Sequence, residues 1–316
     1  MTLNVMRQAR AALRSGTLAV AALLAACGGG EQDTKFNASR VIAFGDEMSV
    51  INADGKKYSI NALLPDSTTQ VDCASSPIWI QAVAAIYGLV FPQCPGVFAD
   101  PASRIYATNG ATVADITTQI DAQLNSGGFG TNDLATVLVG ANDVIAQFQQ
   151  YPAVGEDQLG ANLSTAGAAL AAQVNRLAGL GARVLIVTIP DMGLTPFAGD
   201  RSAGSTDGNP ALLTRLSTRF NDALLANILN DGRKIGLVQL DEYLKAVDTQ
   251  TRFGVGSFNN TTQFACTVAL PNCTSSTVVA DSVNAVWLWA DNRRLSPSGQ
   301  SGLGSLASSR AQNNPF

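Results

Sequence analysis

Histidine does not occur anywhere in the 316 residues of this chain. That absence removes the side chain most often used as a general base near neutral pH, and with it a common ligand for zinc. Charge is scarce too, with Asp, Glu, Lys and Arg making up 14% of the residues against 46% hydrophobic ones. Such a chain is not a disordered tail, and its length suits one large domain or two small ones around a substantial core. No unit of roughly 20 to 50 residues recurs, so repeat architectures are excluded. The 29 glycines have no period and mark tight connections rather than a fibrous protein.

Three arginines, Arg7, Arg10 and Arg14, precede an apolar stretch over residues 17–26. That stretch is too short to span a bilayer and has the form of a secretory signal occupying residues 1–26. It closes with Leu24-Ala25-Ala26-Cys27, and small residues before a cysteine here resemble a bacterial lipobox. The resemblance implies that Cys27 is acylated and becomes the mature N-terminus; an ordinary signal peptide that happens to hold a cysteine is the other reading. Acyl chains on Cys27 make the lipid membrane a partner, with residues 27–38 as a lipidated tether and residues 39–316 as the domain. Gly28, rather than Asp, after the cysteine points to an outer-membrane anchor in the cell envelope, facing the periplasm.

Loss of residues 1–26 removes three arginines and no acid, leaving 24 acidic against 17 basic residues, a formal charge of about −7. That balance argues against nucleic acid as a partner. Cys73, Cys94, Cys266 and Cys273 remain, and in an exported chain they are expected to form disulfides. Three connectivities are open. Nearness in sequence favours Cys73 with Cys94 and Cys266 with Cys273, each worth about 2 to 3 kcal/mol. Metal binding is the rival reading, but neither pair has tight ligand spacing; no metal and no cofactor is expected.

Five unbroken apolar runs read as strands covered on both faces: residues 40–44 (RVIAF), 104–108 (RIYAT), 135–139 (ATVLV), 183–189 (RVLIVTI) and 235–240 (IGLVQL). Helical patterns lie between them. One begins with Ser76 in the N-cap position and another at Thr112; two more run over residues 158–180 and 210–230, stopped by Gly181 and Gly232. Alternating strands and helices predict a parallel sheet with helices on both faces, and functional residues beyond the carboxyl ends of its strands. Four such ends carry Gly45-Asp46-Glu47, Asn109-Gly110-Ala111-Thr112, Gly140-Ala141-Asn142-Asp143 and Pro190-Asp191-Met192-Gly193. Singly, each suits an ordinary turn.

In this order and spacing they resemble the SGNH or GDSL ester hydrolases. Gly45-Asp46-Glu47-Met48-Ser49 stands where that family has Gly-Asp-Ser-Leu-Ser, and Gly140-Ala141-Asn142-Asp143 matches its Gly-x-Asn-Asp block in full. Gly110 and Asn142 fall on the oxyanion-binding positions. Residues 290–300, ADNRRLSPSGQ, resemble the family's Asp-x-x-His stretch, with Asp291 at the acid, Arg294 at the histidine and Gln300 at a later histidine. The resemblance covers nearly all of the mature chain. It implies an α/β fold: a three-layer α/β/α sandwich with a five-stranded parallel sheet in flavodoxin-like order.

It also exposes two departures. The family mechanism needs a hydroxyl nucleophile, a histidine to take its proton and an acid to orient that histidine, and of these only Asp291 is present. Serine to Glu47 adds a negative charge and histidine to Arg294 a positive one, so Glu47, Arg294 and Asp291 are expected to form an ion network filling the catalytic groove. The resemblance then implies an envelope protein that binds or scaffolds an acylated lipid or glycan. The alternative is an active esterase or lipase with Glu47 as base or nucleophile and Gly110 and Asn142 as the oxyanion hole. A third reading is a structural lipoprotein with a closed groove. Ser49 reads as a turn serine rather than a substitute nucleophile, and Asp46 and Asp143 as structural acceptors rather than a cation site.

Overall fold

A computed structural model of the protein describes residues 36–98, 101–199 and 209–313. The signal peptide, Cys27 and the tether as far as Lys35 lie outside the described residues. A five-stranded sheet is built from β1 (Arg40–Gly45), β2 (Arg104–Ile105), β3 (Asp133–Leu138), β4 (Arg183–Val187) and β5 (Ile235–Val238). Every pairing in it is parallel and the order is β2-β1-β3-β4-β5, the doubly wound order expected.

Side-chain alternation on the strands explains the three layers. Ile42 and Phe44 point into one core with Ala135, Val137, Val184 and Ile186, while Val41 and Ala43 point into the other with Leu134, Leu138, Leu185 and Val187. Both sets are essentially inaccessible to water, so the strands read as continuous apolar runs rather than alternating ones. The helices in chain order are α1 (Trp79–Ala85), α2 (Asp115–Asn125), α3 (Ala141–Phe148), α4 (Glu156–Gly179), α5 (Pro210–Asn227), α6 (Leu240–Arg252) and α7 (Pro297–Asn313), with one unlabelled turn at Pro196–Gly199. Helices α2 to α5 cover the first face, and α1, α6 and α7 the second. Each fully buried Leu or Ile in these layers stabilises the fold by about 1.5 to 3 kcal/mol.

Boundaries shift where backbone groups find other partners. Strand β2 stops at Ile105 because the chain then turns onto β1: Tyr106 and Ala107 both donate to the Ala43 carbonyl and Thr108 donates to that of Gly45. Helix α1 starts at Trp79, not at an N-cap Ser76. Ser76 has φ of 52°, a left-handed conformation unsuited to an N-cap, and its carbonyl accepts a hydrogen bond from Lys57 Nζ. Thr112 closes a turn onto the Asp115 carboxylate, where α2 begins. A small two-stranded sheet, β6 (Asn260–Phe264) with β7 (Trp287–Trp289), was not expected from the sequence pattern. Both favoured disulfides, Cys73–Cys94 and Cys266–Cys273, are formed.

Candidate functional site

Strands β1 and β3 deliver the first residues of the site side by side, with Gly45 paired in register to Leu138. Gly45 has φ of +127°, and a Cβ there would lie 1.9 Å from the Leu138 carbonyl oxygen, so only glycine lets the chain turn this close to β3. Past that turn, the Asp46 carboxylate accepts from the Met48 amide at 3.0 Å and caps the short 3-10 turn Glu47–Ser49. Gly140 plays the equivalent part on β3. Its φ is +125°, and a Cβ would strike the Phe220 ring at 2.3 Å. Helix α3 follows and presents Asn142 and Asp143 from its first turn.

These turns place Glu47, only 4% exposed, among polar groups from three other parts of the chain. Its Oε2 accepts from the Gly110 amide at 2.9 Å and from Asn142 Nδ2 at 3.1 Å. Its Oε1 accepts from Arg294 Nε at 3.0 Å and Nη2 at 2.7 Å. Arg294 Nη1 donates to Asp291 Oδ2 at 2.5 Å, while Asp291 Oδ1 accepts the backbone amides of Arg293 and Arg294. The expected trio is therefore in direct contact, across 247 residues between Glu47 and Arg294. The carboxylate also occupies the two donors assigned to the oxyanion hole.

Electrostatics follow from this packing. Burial works to raise the Glu47 pKa, but the Arg294 charge and the bonds from Gly110 and Asn142 outweigh it and hold the carboxyl below its ordinary value. Burial likewise opposes the Arg294 charge, and Asp291 and Glu47 together raise its pKa. Asp46 is pushed well up by burial and by the adjacent Glu47 charge. Burial lifts Asp143 to about 6. Asp46 and Asp143 do act as structural acceptors, from Met48 and Val113 respectively. Among the described residues no group of three His, Cys, Asp or Glu side chains is placed to hold a metal ion. Ser49 is fully buried, and its hydroxyl has no hydrogen-bond partner among the described residues.

Two neighbours escape the motif reading, and a third residue inside it takes a structural part. Arg293 Nη2 lies 3.6 Å from Glu47 Oε1, a second cation whose only sequence signal is its place beside Arg294. The Arg294 guanidinium sits 5.5 Å above the Tyr58 ring, a cation–π contact with no motif behind it. Gln300, at the later histidine position, accepts from the Trp79 amide at 3.0 Å and so ties α7 to the start of α1. Beside the network the remaining cavity is only about 20 Å³, walled by Met48, Leu138, Leu240, Trp289 and Leu295.

The model of the GDSL-like lipase/acylhydrolase family matches residues 78–304, well over half of the chain. The chain belongs to this family. The matched segment of this GDSL-family chain takes in Gly110, Asn142, Asp291 and Arg294 and begins beyond the Glu47 turn. Among solved structures, the chain is similar to the lipase Lip_vut3 from a goat rumen metagenome, at 10% identity and a TM-score of 0.49 over 86% of this chain and 97% of that one. It is similar to the extracellular lipase of Streptomyces rimosus at 16% identity and a TM-score of 0.44, over 86% and 100% of the two chains. The acetylxylan esterase Axe2 of Geobacillus stearothermophilus gives 13% and 0.43, over 89% and 97%. No curated protein sequence matches the chain.

Proposed function

We propose that this GDSL-family chain is catalytically degenerate and serves in the cell envelope as a binding or scaffolding protein, with acylated lipid or glycan as the ligand class its ancestry suggests. The seat of Glu47 carries this reading. Its Oε2 takes both the Gly110 amide and the Asn142 side chain, so an ester carbonyl finds no donor left to polarise it. The cavity of about 20 Å³ has no room for an acyl group, which sends ligand contact to other surfaces of the domain. Leu24-Ala25-Ala26-Cys27 supports an acylated form anchored at the outer membrane and facing the periplasm.

The rival reading, an esterase using Glu47 as nucleophile or base, is less well supported. A carboxylate paired with arginine and held below its ordinary pKa is a poor base. Assay of the purified full chain on short-chain nitrophenyl esters tests the proposal. No turnover above background is expected, and turnover abolished by Glu47→Gln would overturn it. Combining Glu47→Ser with Arg294→His frees the hole and supplies nucleophile and base beside Asp291; ester hydrolysis is expected to appear in that double variant.

A further inference from the structure

We infer that Gly110, Asn142 and Arg294 form a carboxylate-binding site that the chain fills with its own Glu47, and that small free monocarboxylates are its ligands once that side chain is withdrawn. Two oxygens and four donors define the site. Oε2 receives the Gly110 amide and Asn142 Nδ2, and Oε1 receives Arg294 Nε and Nη2, all between 2.7 and 3.1 Å. Two charge-assisted bonds to each oxygen suit a carboxylate better than a single developing oxyanion. Chemically, Glu47 is a tethered copy of the acid that ester hydrolysis would leave behind.

The donors are held in place without Glu47. Asn142 Nδ2 also donates to the Ala111 carbonyl at 3.0 Å, and Gly110 contributes its backbone. Arg294 is pinned by Asp291 on one side and rests over Tyr58 on another. Arg293 adds a second positive charge, and its Nε has no hydrogen-bond partner among the described residues. Against these two cations stands Asp291, bonded to Arg294, while the Asp46 carboxylate is turned to the Met48 amide. With Glu47 removed, the two guanidiniums that reach its carboxylate face one carboxylate of their own, an arrangement that suits a monoanion.

Size selects within that class. Truncating Glu47 to alanine deletes a CH2–COO group, the heavy atoms of acetate. The adjoining cavity of about 20 Å³ adds space for about one more methyl group against Met48, Leu138 and Trp289. Acetate is thus the best fit, propionate is accommodated, and hexanoate is excluded by the apolar wall.

This inference rests on the reading that Glu47 closes the site. The test is thermal unfolding of full-chain Glu47→Ala, titrated with formate, acetate, propionate, hexanoate or chloride at constant ionic strength. The variant is expected to melt below the native chain, acetate to restore at least half of the lost Tm saturably, and hexanoate and chloride to do nothing. The native chain should not respond at the same concentrations. Adding Arg294→Gln to Glu47→Ala should weaken the acetate response by about tenfold or more. An equal effect of acetate on native chain and variant, or none on either, overturns the proposal. Should Glu47→Ala be recovered only as aggregate, refolding from urea in acetate against chloride is the readout. Folded protein in acetate alone supports the site, and equal failure in both salts overturns it. Ester turnover by the native chain would sink the proposed function and leave the titration standing, whereas silence in both assays sinks only the acetate site.

Discussion

Glu47 and Arg294 show why a buried ion pair must be judged by what remains when it is broken. Together they are compensated by four hydrogen bonds and by Asp291; apart, each leaves a charge in a low-dielectric site. Arg294→Ala is expected to cost on the order of 3 kcal/mol, read from the urea midpoint, because two carboxylates lose their counter-charge. No change in that midpoint would show that the network contributes nothing. A second residue gives a pH signature. Asp143 titrates near 6 in the fold against 3.8 ordinarily, so the folded state keeps its proton to higher pH and stability falls as pH rises through that interval. Glu47, held low, acts in the opposite sense: its contribution is present above its ordinary pKa and is lost as pH falls through the lower folded value. Asp143→Asn, which can still accept from Val113, should flatten the fall of Tm between about pH 4 and 6 while leaving the loss at lower pH. An unaltered profile would remove Asp143 as its source. The charged pair was legible because both residues sit inside motif blocks. Tyr58 was not, since it reaches Arg294 through a loop closure that no periodicity records.

Elements carry the motif glycines and one buried lysine. Gly140→Ala forces a Cβ into the Phe220 ring while demanding a positive φ, and the expected cost is above about 4 kcal/mol, seen as loss of soluble, cooperatively melting protein. Lys57 is fully buried and its Nζ donates to the carbonyls of Cys73, Ser75 and Ser76 at 2.8 to 3.1 Å. Beside it, Asn61 bonds the backbone of Lys57, Pro271 and Cys273, and Ser59 bonds Leu295, so this short segment bolts both disulfide loops to the stretch carrying Arg294. Lys57→Met keeps the bulk and strands the Ser75 and Ser76 carbonyls, whereas the Cys73 carbonyl keeps its bond from Gln81 Nε2; a loss of roughly 2 to 4 kcal/mol is expected by chemical denaturation. Strands β1 and β3 to β5 were readable because burial on both faces leaves continuous apolar runs. Strand β2 was read at its true start, but only its first two residues pair as a strand because the chain then turns onto β1. The β6–β7 pair was not read, since Asn260–Phe264 is mostly polar.

For the whole molecule, the two covalent links should weigh unequally. Their ends are 21 and 7 residues apart, so chain-entropy reasoning assigns about 3 kcal/mol to Cys73–Cys94 and about 2 kcal/mol to Cys266–Cys273. Paired Cys→Ala variants, compared by urea unfolding, test that order, and a larger loss at the shorter loop would refute it. Anchoring is tested at the same scale: the native chain should partition into detergent in a phase-separation assay and Cys27→Ser into water. The link between Glu47 and Arg294 also couples what can be changed at the two positions. Glu47→Ser alone leaves the arginine without its main counter-charge, and Arg294→His alone leaves the glutamate lodged against Gly110 and Asn142. Each single exchange forfeits the ion pair, and neither is expected to yield ester turnover. Only the paired exchange is expected to open the groove, so the two positions behave as one site of change.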